Sequence, residues 1–305
     1  MINFSIIIPL YNKEKDIAST LMSVLKQSYQ PNEIIVVDDG STDKSVKIVE
    51  NLFKDKVKLV KQTNKGISAA RNRGIKEARN EFICFLDADD LWEKDFLKEI
   101  ALLIENFPEA VFYSTSHKII DENGRVIEAK VFKENFFGII DNFFKIYKDY
   151  YGLINSSSVC IKKSTKIFFP EGEARGEDIC TWIKLALKGK LAFSAKSLAI
   201  YRLNASNRSN KSNNKEKIPC QLKWFYSNKN KTNKKIQKFI HSNILVNVYE
   251  MALNGDYKNV RATIKYMKKN RDIFFLFVLP SLIVPRRALS LVRSLKRKFK
   301  YLYVE

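Results

Sequence analysis

The chain has 305 residues, 45% of them hydrophobic and 29% charged, a composition that supports a folded core of substantial size. Its two isolated histidines, His117 and His241, leave almost no material for zinc chemistry or a Ser-His-Asp triad, and the cysteines at 84, 160, 180 and 220 lack C-x-x-C spacing and are expected as reduced, largely buried thiols in a reducing compartment. The net charge of +21 is uneven: residues 1–202 carry 31 Lys+Arg against 28 Asp+Glu, whereas residues 203–305 carry 23 against 5, so two regions with different electrostatic partners are expected.

The N-terminus enters an apolar run directly, Met1-Ile-Asn-Phe-Ser-Ile-Ile-Ile-Pro9, without a basic leader or small-residue cleavage site, so no export is expected. Four β-rich runs follow one another, Phe4 to Ile8, Glu33 to Val37, Val57 to Val60 and Phe82 to Leu86. Helical patterns separate them. Ile17, Leu21 and Leu25 recur at i, i+4 and i+8; Val46, Val49 and Leu52 follow a Ser41-Thr42 cap; Ile67, Ala70 and Ile75 fall on one side of a third helix. This alternation predicts an α/β domain with a largely parallel sheet covered on both faces, and such sheets bind ligands at the carboxyl ends of their strands.

Those ends carry the chemistry. The first strand ends in Pro9-Leu10-Tyr11-Asn12, with an aromatic ring that either stacks on a base or merely packs. At the second, Asp38-Asp39-Gly40-Ser41 joins two carboxylates to a glycine turn, able to accept from a base N–H or a ribose hydroxyl. No G-x-G-x-x-G or G-x-x-x-x-G-K-[ST] pattern is present, which argues against a dinucleotide fold or a P-loop. Asn64 to Gly74 is a glycine turn entering a small-residue helix with Arg71 and Arg73, suited to a diphosphate or simply a solvated basic face. In Phe85-Leu86-Asp87-Ala88-Asp89-Asp90, alternation puts Asp87 and Asp89 on one face, where their charges repel unless a cation intervenes. A hard divalent metal and a solvated turn both fit that pattern. Asp90-Leu-Trp-Glu93 has capping-box spacing, so Asp90 is predicted to cap the next helix by accepting from the Glu93 N–H.

Beyond Glu93 a helix, a strand near Ala110 to Ser116, a turn at Glu122 to Arg125 and an aromatic segment from Phe136 to Tyr151 are expected. A strand at Ser157 to Ile161, a helix from Asp178 to Leu187 and two strands, Leu191 to Phe193 and Leu198 to Tyr201, complete the domain, and Asn204 to Asn214 reads as a polar linker. From Lys217 on the pattern is helical and basic.

The ordered series I-I-I-P-x-Y-N, V-V-D-D-G-S-T-D, N-x-G-x-x-x-A-R-N-x-G and F-L-D-A-D-D closely resembles family 2 glycosyltransferases, densely over residues 3 to 100 and more sparsely to about residue 209. The resemblance implies a GT-A fold, a Rossmann-like mostly parallel mixed sheet with helices on both faces, over residues 1–210: 1–100 for the nucleotide sugar and 101–210 for the acceptor. A basic α-helical region over 211–305 would complete the chain. It implies Pro9 and Tyr11 at the base, Asp39 on the uracil imide, Lys65 and Arg71 on the nucleotide and its phosphates, Asp87 on the donor side, and Asp89 on Mn²⁺ or Mg²⁺. Arg175-Gly-Glu177-Asp178-Ile-Cys-Thr-Trp182 fits the family's acid-pair motif, with Asp178 as general base. Glu177 and Trp182 are then acceptor-side candidates. Without the family, Glu177 and Asp178 simply place negative charge at a helix start, and Trp182 either stacks on a sugar or anchors its helix. Tyr201-Arg202-Leu203-Asn204, with Ser206 to Ser209, resembles a Y-R-x-H…S segment in which Asn204 replaces His.

The expected activity is inverting, metal-dependent transfer of a hexose from a UDP-sugar to a glycan acceptor, lipid-diphosphate-linked, in bacterial surface-polysaccharide assembly such as O-antigen, capsule or lipooligosaccharide. A sugar nucleotidyltransferase, or a non-catalytic basic binder on a transferase fold, are the alternatives; the first should show a Gly-rich, Arg/Lys-bearing loop after the first strand, which Pro9 to Lys15 is not. No run reaches the roughly 20 apolar residues of a spanning helix; Ile273 to Val284 offers about 12 and contains Pro280. Residues 217–305 combine cations with aromatic and apolar runs, at Lys223-Trp-Phe-Tyr226, Ile273 to Leu279, Arg286-Arg287 and Lys296 to Lys300, so an anionic membrane surface is preferred over nucleic acid or plain helix packing. A cytoplasmic protein, peripheral on the inner face of the cytoplasmic membrane, is the expected setting.

Overall fold

The computed structural model describes residues 1–128, 132, 135–150, 152–173, 175–203, 205, 218–229 and 232–282. Asn204, Ser206 to Ser209, most of the expected linker and the clusters at Arg286-Arg287 and Lys296 to Lys300 lie outside them. Two compact units emerge, one of Met1–Phe143, Gly152–Gly172 and Thr181–Lys211, the other of Phe144–Tyr151, Glu173–Cys180 and Ser212–Glu305.

The first unit is built on β1 (Phe4–Leu10), β2 (Glu33–Asp38), β3 (Lys58–Lys61) and β4 (Phe82–Phe85), which pair in parallel in the order β3-β2-β1-β4. Every residue of β1 is buried, because a central parallel strand is covered on both faces and needs a continuous apolar run. The sheet continues through β9 (Val159–Lys162), β6 (Phe112–Ile120), β10 (Leu191–Arg202) and β5 (Leu91–Trp92), with β7 (Val126–Glu128) on β6 and β8 (Phe137–Ile140) on β10. β9 runs antiparallel to both β4 and β6, making the sheet mixed. Cys84 and Cys160 face each other across β4 and β9; all four cysteines are buried and free.

Three local expectations change. The helix after β2, α2 (Ser45–Phe53), has no Ser41-Thr42 cap: Asp43 Oδ1 instead accepts from Ser45 N at 2.9 Å, while Thr42 N is drawn to Asn12 Oδ1 at 2.7 Å. The strands expected at Leu191 to Phe193 and Leu198 to Tyr201 are one strand, β10, whose pairing with β6 shifts register between Ser194 and Ala199. There Glu99, buried on α4 (Phe96–Asn106), accepts from Ser194 Oγ at 2.6 Å and Lys196 Nζ at 2.7 Å, so the polar interruption serves a buried carboxylate. Ile67, expected on the inner side of α3 (Ile67–Glu77), is exposed, and Ala70 and Ile75 are buried.

Helix α3 lies tightly on β1. A Cβ added at Gly74 would overlap Ile7 Cγ2 and come within 3.0 Å of its Cγ1, and Ile7 is fully buried. Gly74→Ala is therefore expected to destabilise the chain by about 1–3 kcal/mol in urea unfolding, because overpacking outweighs the gain in helix propensity.

The second unit is helical: α5 (Phe143–Asp149) enters it, followed by α7 (Cys220–Ser227), α8 (Lys234–Leu253), α9 (Tyr257–Lys269) and the short α10 (Phe275–Val278), while α6 (Glu177–Lys188) begins within it. Asn233 Oδ1 caps α8 by accepting from Lys235 N and Ile236 N, each at 3.0 Å. Ile236, Phe239, Ile240, Ile244, Val260 and Met267 form its buried interior. Asp272, after α9, accepts from Tyr226 Oη at 2.7 Å and pairs with His241 Nε2 at 2.9 Å. Burial opposes ionisation of this carboxyl, yet donation from His241, Tyr226 and the Phe274 N–H holds it below the usual carboxylate range. The ionised form is thus favoured by the fold, and its stabilisation is complete above about pH 4 and lost as pH falls through the lowered value. Thermal melts across that window should show acid destabilisation that Asp272→Asn flattens.

Candidate active site

The ends of β1, β2 and β4 converge on a polar cluster within the first unit. Pro9 is tolerated in β1 because Ile7 O accepts from Leu86 N and Leu10 O from Asp39 N, so odd residues address β4, which pairs with β1 only as far as Ile7. Tyr11, just beyond, is 47% exposed. Asn12 adopts the left-handed region at φ 51°, which Asn tolerates well, and its N–H donates to Ser41 Oγ at 3.0 Å, clipping the first strand end to the second.

Asp39 is buried and already engaged. Its Oδ1 accepts from Lys65 N at 2.9 Å and Gln62 Nε2 at 2.8 Å, and its Oδ2 from Gly66 N at 2.8 Å. It thereby shapes the turn into α3, with Oδ2 retaining a second lone pair for a ligand. Gly40, at φ 77°, lets this turn approach: a Cβ there would stand 3.0 Å from Asn64 N. Gly66, at φ 90°, has open space around it and cannot cap α3 with a side chain, and the Lys65 side chain is exposed beside it.

Arg71 points inward, not to solvent. It is 2% exposed, its NH2 bonds Asp87 Oδ1 at 2.7 Å, and its guanidinium lies 5.0 Å from the Phe169 ring centroid. Asn72 fixes that ring's backbone, donating to Phe169 O and accepting from Phe169 N, each at 2.8 Å. Trp182 closes the same cluster, fully buried with its ring edge-on to Phe169 at 6.0 Å. Trp182 therefore anchors α6 and is not an acceptor-side stacking surface, a correction that follows from its burial.

The aspartates divide differently from the capping expectation. Asp90 is buried and caps no helix: its Oδ2 accepts from Ser157 Oγ at 2.5 Å and its Oδ1 from Arg202 N at 3.0 Å, while Glu93 N donates to Leu198 O. Helix α4 starts only at Phe96. Burial, then the charges of Asp87 and Asp89, push the Asp90 carboxyl well above the usual range. Ser157 Oγ also accepts from Asp87 N at 3.1 Å, and Arg202 Nε donates to Asp89 O, so two distant segments hold the 87–90 turn. Asp89 bonds Lys13 Nζ at 2.6 Å; burial and the neighbouring Asp87 raise its carboxyl, with Lys13 opposing. Asp87 and Asp89 stay partly open, their side chains 22% and 18% exposed.

Sequence reasoning missed Lys13, Ser157 and the inward role of Arg202. A lysine or serine 70 or more residues from its partner leaves no periodic signal. No group of three His, Cys, Asp or Glu side chains able to enclose a metal occurs among the described residues. The donor set instead suits a hard divalent cation held by one or two carboxylates and completed by phosphate and water oxygens. The raised Asp89 carboxyl, beside a like charge, is the kind of group such a cation relieves.

Glu177 and Asp178 form the first turn of α6, both half-buried, after Gly176 at φ 77°. The left-handed φ favours glycine here, and a Cβ at Gly176 would displace the end of the buried Gln221 side chain. By contacts the two acids group with the second unit, while Tyr11, Asp39, Arg71, Asp87 and Asp89 belong to the first.

The Glycosyl transferase family 2 profile matches residues 5–167, a span that includes every first-unit site residue up to Ser157. An uncharacterized glycosyltransferase of Rickettsia conorii is 31% identical over 275 residues, 87% of this chain but 44% of that protein, so the chain spans less than half of that relative's length. The amylovoran biosynthesis glycosyltransferase AmsB of Erwinia amylovora is 32% identical over 66% of this chain and 70% of its own. Among solved structures, S. aureus TarS 1-349 in complex with UDP-GlcNAc superposes with a TM-score of 0.61 at 26% identity, over 80% of this chain and 67% of that one.

Proposed function

Because the chain belongs to glycosyl transferase family 2, we propose that it transfers a hexosyl group from a UDP-sugar to a hydroxyl of a glycan acceptor, with inversion, in bacterial surface-polysaccharide assembly. The observation that carries this reading is the Asp87–Asp89 pair at the end of β4, braced by Arg71 and Lys13, with Tyr11 exposed just past the end of the neighbouring strand β1. AmsB, named for amylovoran biosynthesis, and TarS, solved with UDP-GlcNAc, support the acceptor and donor classes.

In this mechanism Tyr11 stacks on uracil above buried Pro9, Asp39 accepts the imide N–H on its Oδ2, and Lys65 and the α3 N-terminus face the diphosphate. Asp89 would hold Mn²⁺ or Mg²⁺, which when bound neutralises charge on the departing diphosphate. Asp87, oriented by Arg71, serves the donor side. The acceptor oxygen attacks the anomeric carbon, the bond from that carbon to the diphosphate oxygen breaks with its electron pair leaving on UDP, and the hydroxyl proton passes to Asp178. Glu177 orients the acceptor. We read the acceptor as lipid-diphosphate-linked and the enzyme as peripheral on the inner face of the cytoplasmic membrane; no helix among the described residues is long and apolar enough to cross it.

The test combines thermal shift with turnover. UDP-sugars with Mn²⁺ should raise the melting temperature, and absence of any shift or transfer across a UDP-sugar panel would sink the reading. Asp178→Asn is expected to lower kcat by about a hundredfold with UDP stabilisation unchanged, since loss of a general base spares donor binding.

A further inference from the structure

We propose that the face formed by Ile273, Leu276 and Phe277 docks this chain onto an anionic lipid bilayer. These three side chains are 77%, 56% and 64% exposed, within five consecutive residues of the second unit. Their pose is held from behind. Phe274 stacks on His241 at 4.1 Å with the planes 10° apart, Phe277 stacks on Phe274 at 5.3 Å, and Phe274 N donates to Asp272 Oδ1 at 3.0 Å. The apolar residues therefore project from an anchored turn.

Charge selects the partner. Residues 257–282 contain the cations Lys258, Arg261, Lys265, Lys268, Lys269 and Arg271, and a single carboxylate, Asp272. That carboxylate is buried against His241 and Tyr226, so this stretch presents only positive charge to solvent. Lys268, Lys269 and Arg271 are exposed just before the apolar trio in the chain, and Lys268 Nζ sits 4.9 Å from the Phe275 ring centroid. Apolar side chains at headgroup depth with cations on lipid phosphates are the two components of interfacial binding. Nucleic acid would leave the aliphatic contacts unused, and a second copy docked through the same face would set these cations against themselves.

The inference deepens the lipid-linked acceptor reading, and its test is separable from it. The full chain should sediment with phosphatidylcholine vesicles containing phosphatidylglycerol, weakly with phosphatidylcholine alone, and less at high salt. I273S/L276S/F277S should lower partitioning at least tenfold. K268Q/K269Q/R271Q should lower it about a hundredfold at low salt, each surface cation being worth roughly fivefold, and flatten the salt dependence. Equal binding to both vesicle types, unchanged binding of either variant, displacement of vesicles by duplex DNA, or a dimer-to-monomer change in place of lost binding would overturn the proposal. Should the serine variant fail to fold, the glutamine variant, altered only at exposed positions, decides. UDP with Mn²⁺ stabilisation is recorded on the same samples without vesicles: an unsubstituted full chain that fails to bind vesicles yet keeps UDP stabilisation defeats the docking face alone, and one that binds vesicles without UDP stabilisation defeats the transferase reading alone.

Discussion

Asp89→Asn is expected to lower kcat/KM for transfer by about three orders of magnitude, the equivalent of roughly 4 kcal/mol of transition-state stabilisation. Asn keeps the size of Asp89 and can still accept from Lys13 Nζ, so the turn between β4 and β5 should persist and the melting temperature without ligand should move little. What disappears is the negative charge that would hold a divalent cation against the donor diphosphate. The diagnostic readout is the Mn²⁺ dependence of UDP stabilisation, which should vanish along with activity. A fall of less than tenfold, with Mn²⁺ dependence intact, would remove Asp89 from the metal site.

Arg71→Met is expected to cost about 3 kcal/mol in urea unfolding and to weaken donor binding at the same time. Removing one partner of a buried ion pair leaves the other charge uncompensated, a loss of roughly 3–5 kcal/mol when both are fully enclosed. Asp87 is 22% exposed at its side chain, which discounts that figure, while the lost contact over the Phe169 ring adds to it. The double-mutant cycle separates the contributions: Arg71→Met with Asp87→Asn should be more stable than Arg71→Met alone, because the stranded carboxylate is gone. If the double variant is the less stable, Arg71 acts by filling space and not by clamping Asp87.

Helices α1 (Ile17–Leu25) and α3 and strands β1 to β4 were legible to within a few residues because their signals are local. A strand buried on both faces must be apolar throughout, and a helix packed on one side must repeat every three or four residues. The middle of the chain was less legible. The sequence of β10 reads as two strands because Ser194 to Ser197 breaks the apolar run, and the reason for that break, the buried Glu99, lies 95 residues away from Ser194. Asp90 shows the same limit at the site. Its D-x-x-E spacing satisfies a local capping rule, yet Ser157 Oγ and the Arg202 N–H outcompete that rule by satisfying a fully buried carboxyl. Trp182 had two readings in sequence, sugar platform or helix anchor, and burial against Phe169 selects the second.

The sequence by itself determined the family, the alternation of strand and helix, and the set of polar residues delivered to the strand ends, since each depends on neighbours a few positions apart. Only the tertiary structure decided how those residues are paired: Lys13 with Asp89 across 76 positions, Ser157 with Asp90 across 67, and Arg71 turned inward to Asp87 under the Phe169 ring. The physical reason is that a carboxylate's state follows from its burial and its nearest charges and donors, and in this chain those neighbours come from the loop after β1, from α3, from the turn before β9 and from the end of β10 as well as from the acidic turn itself.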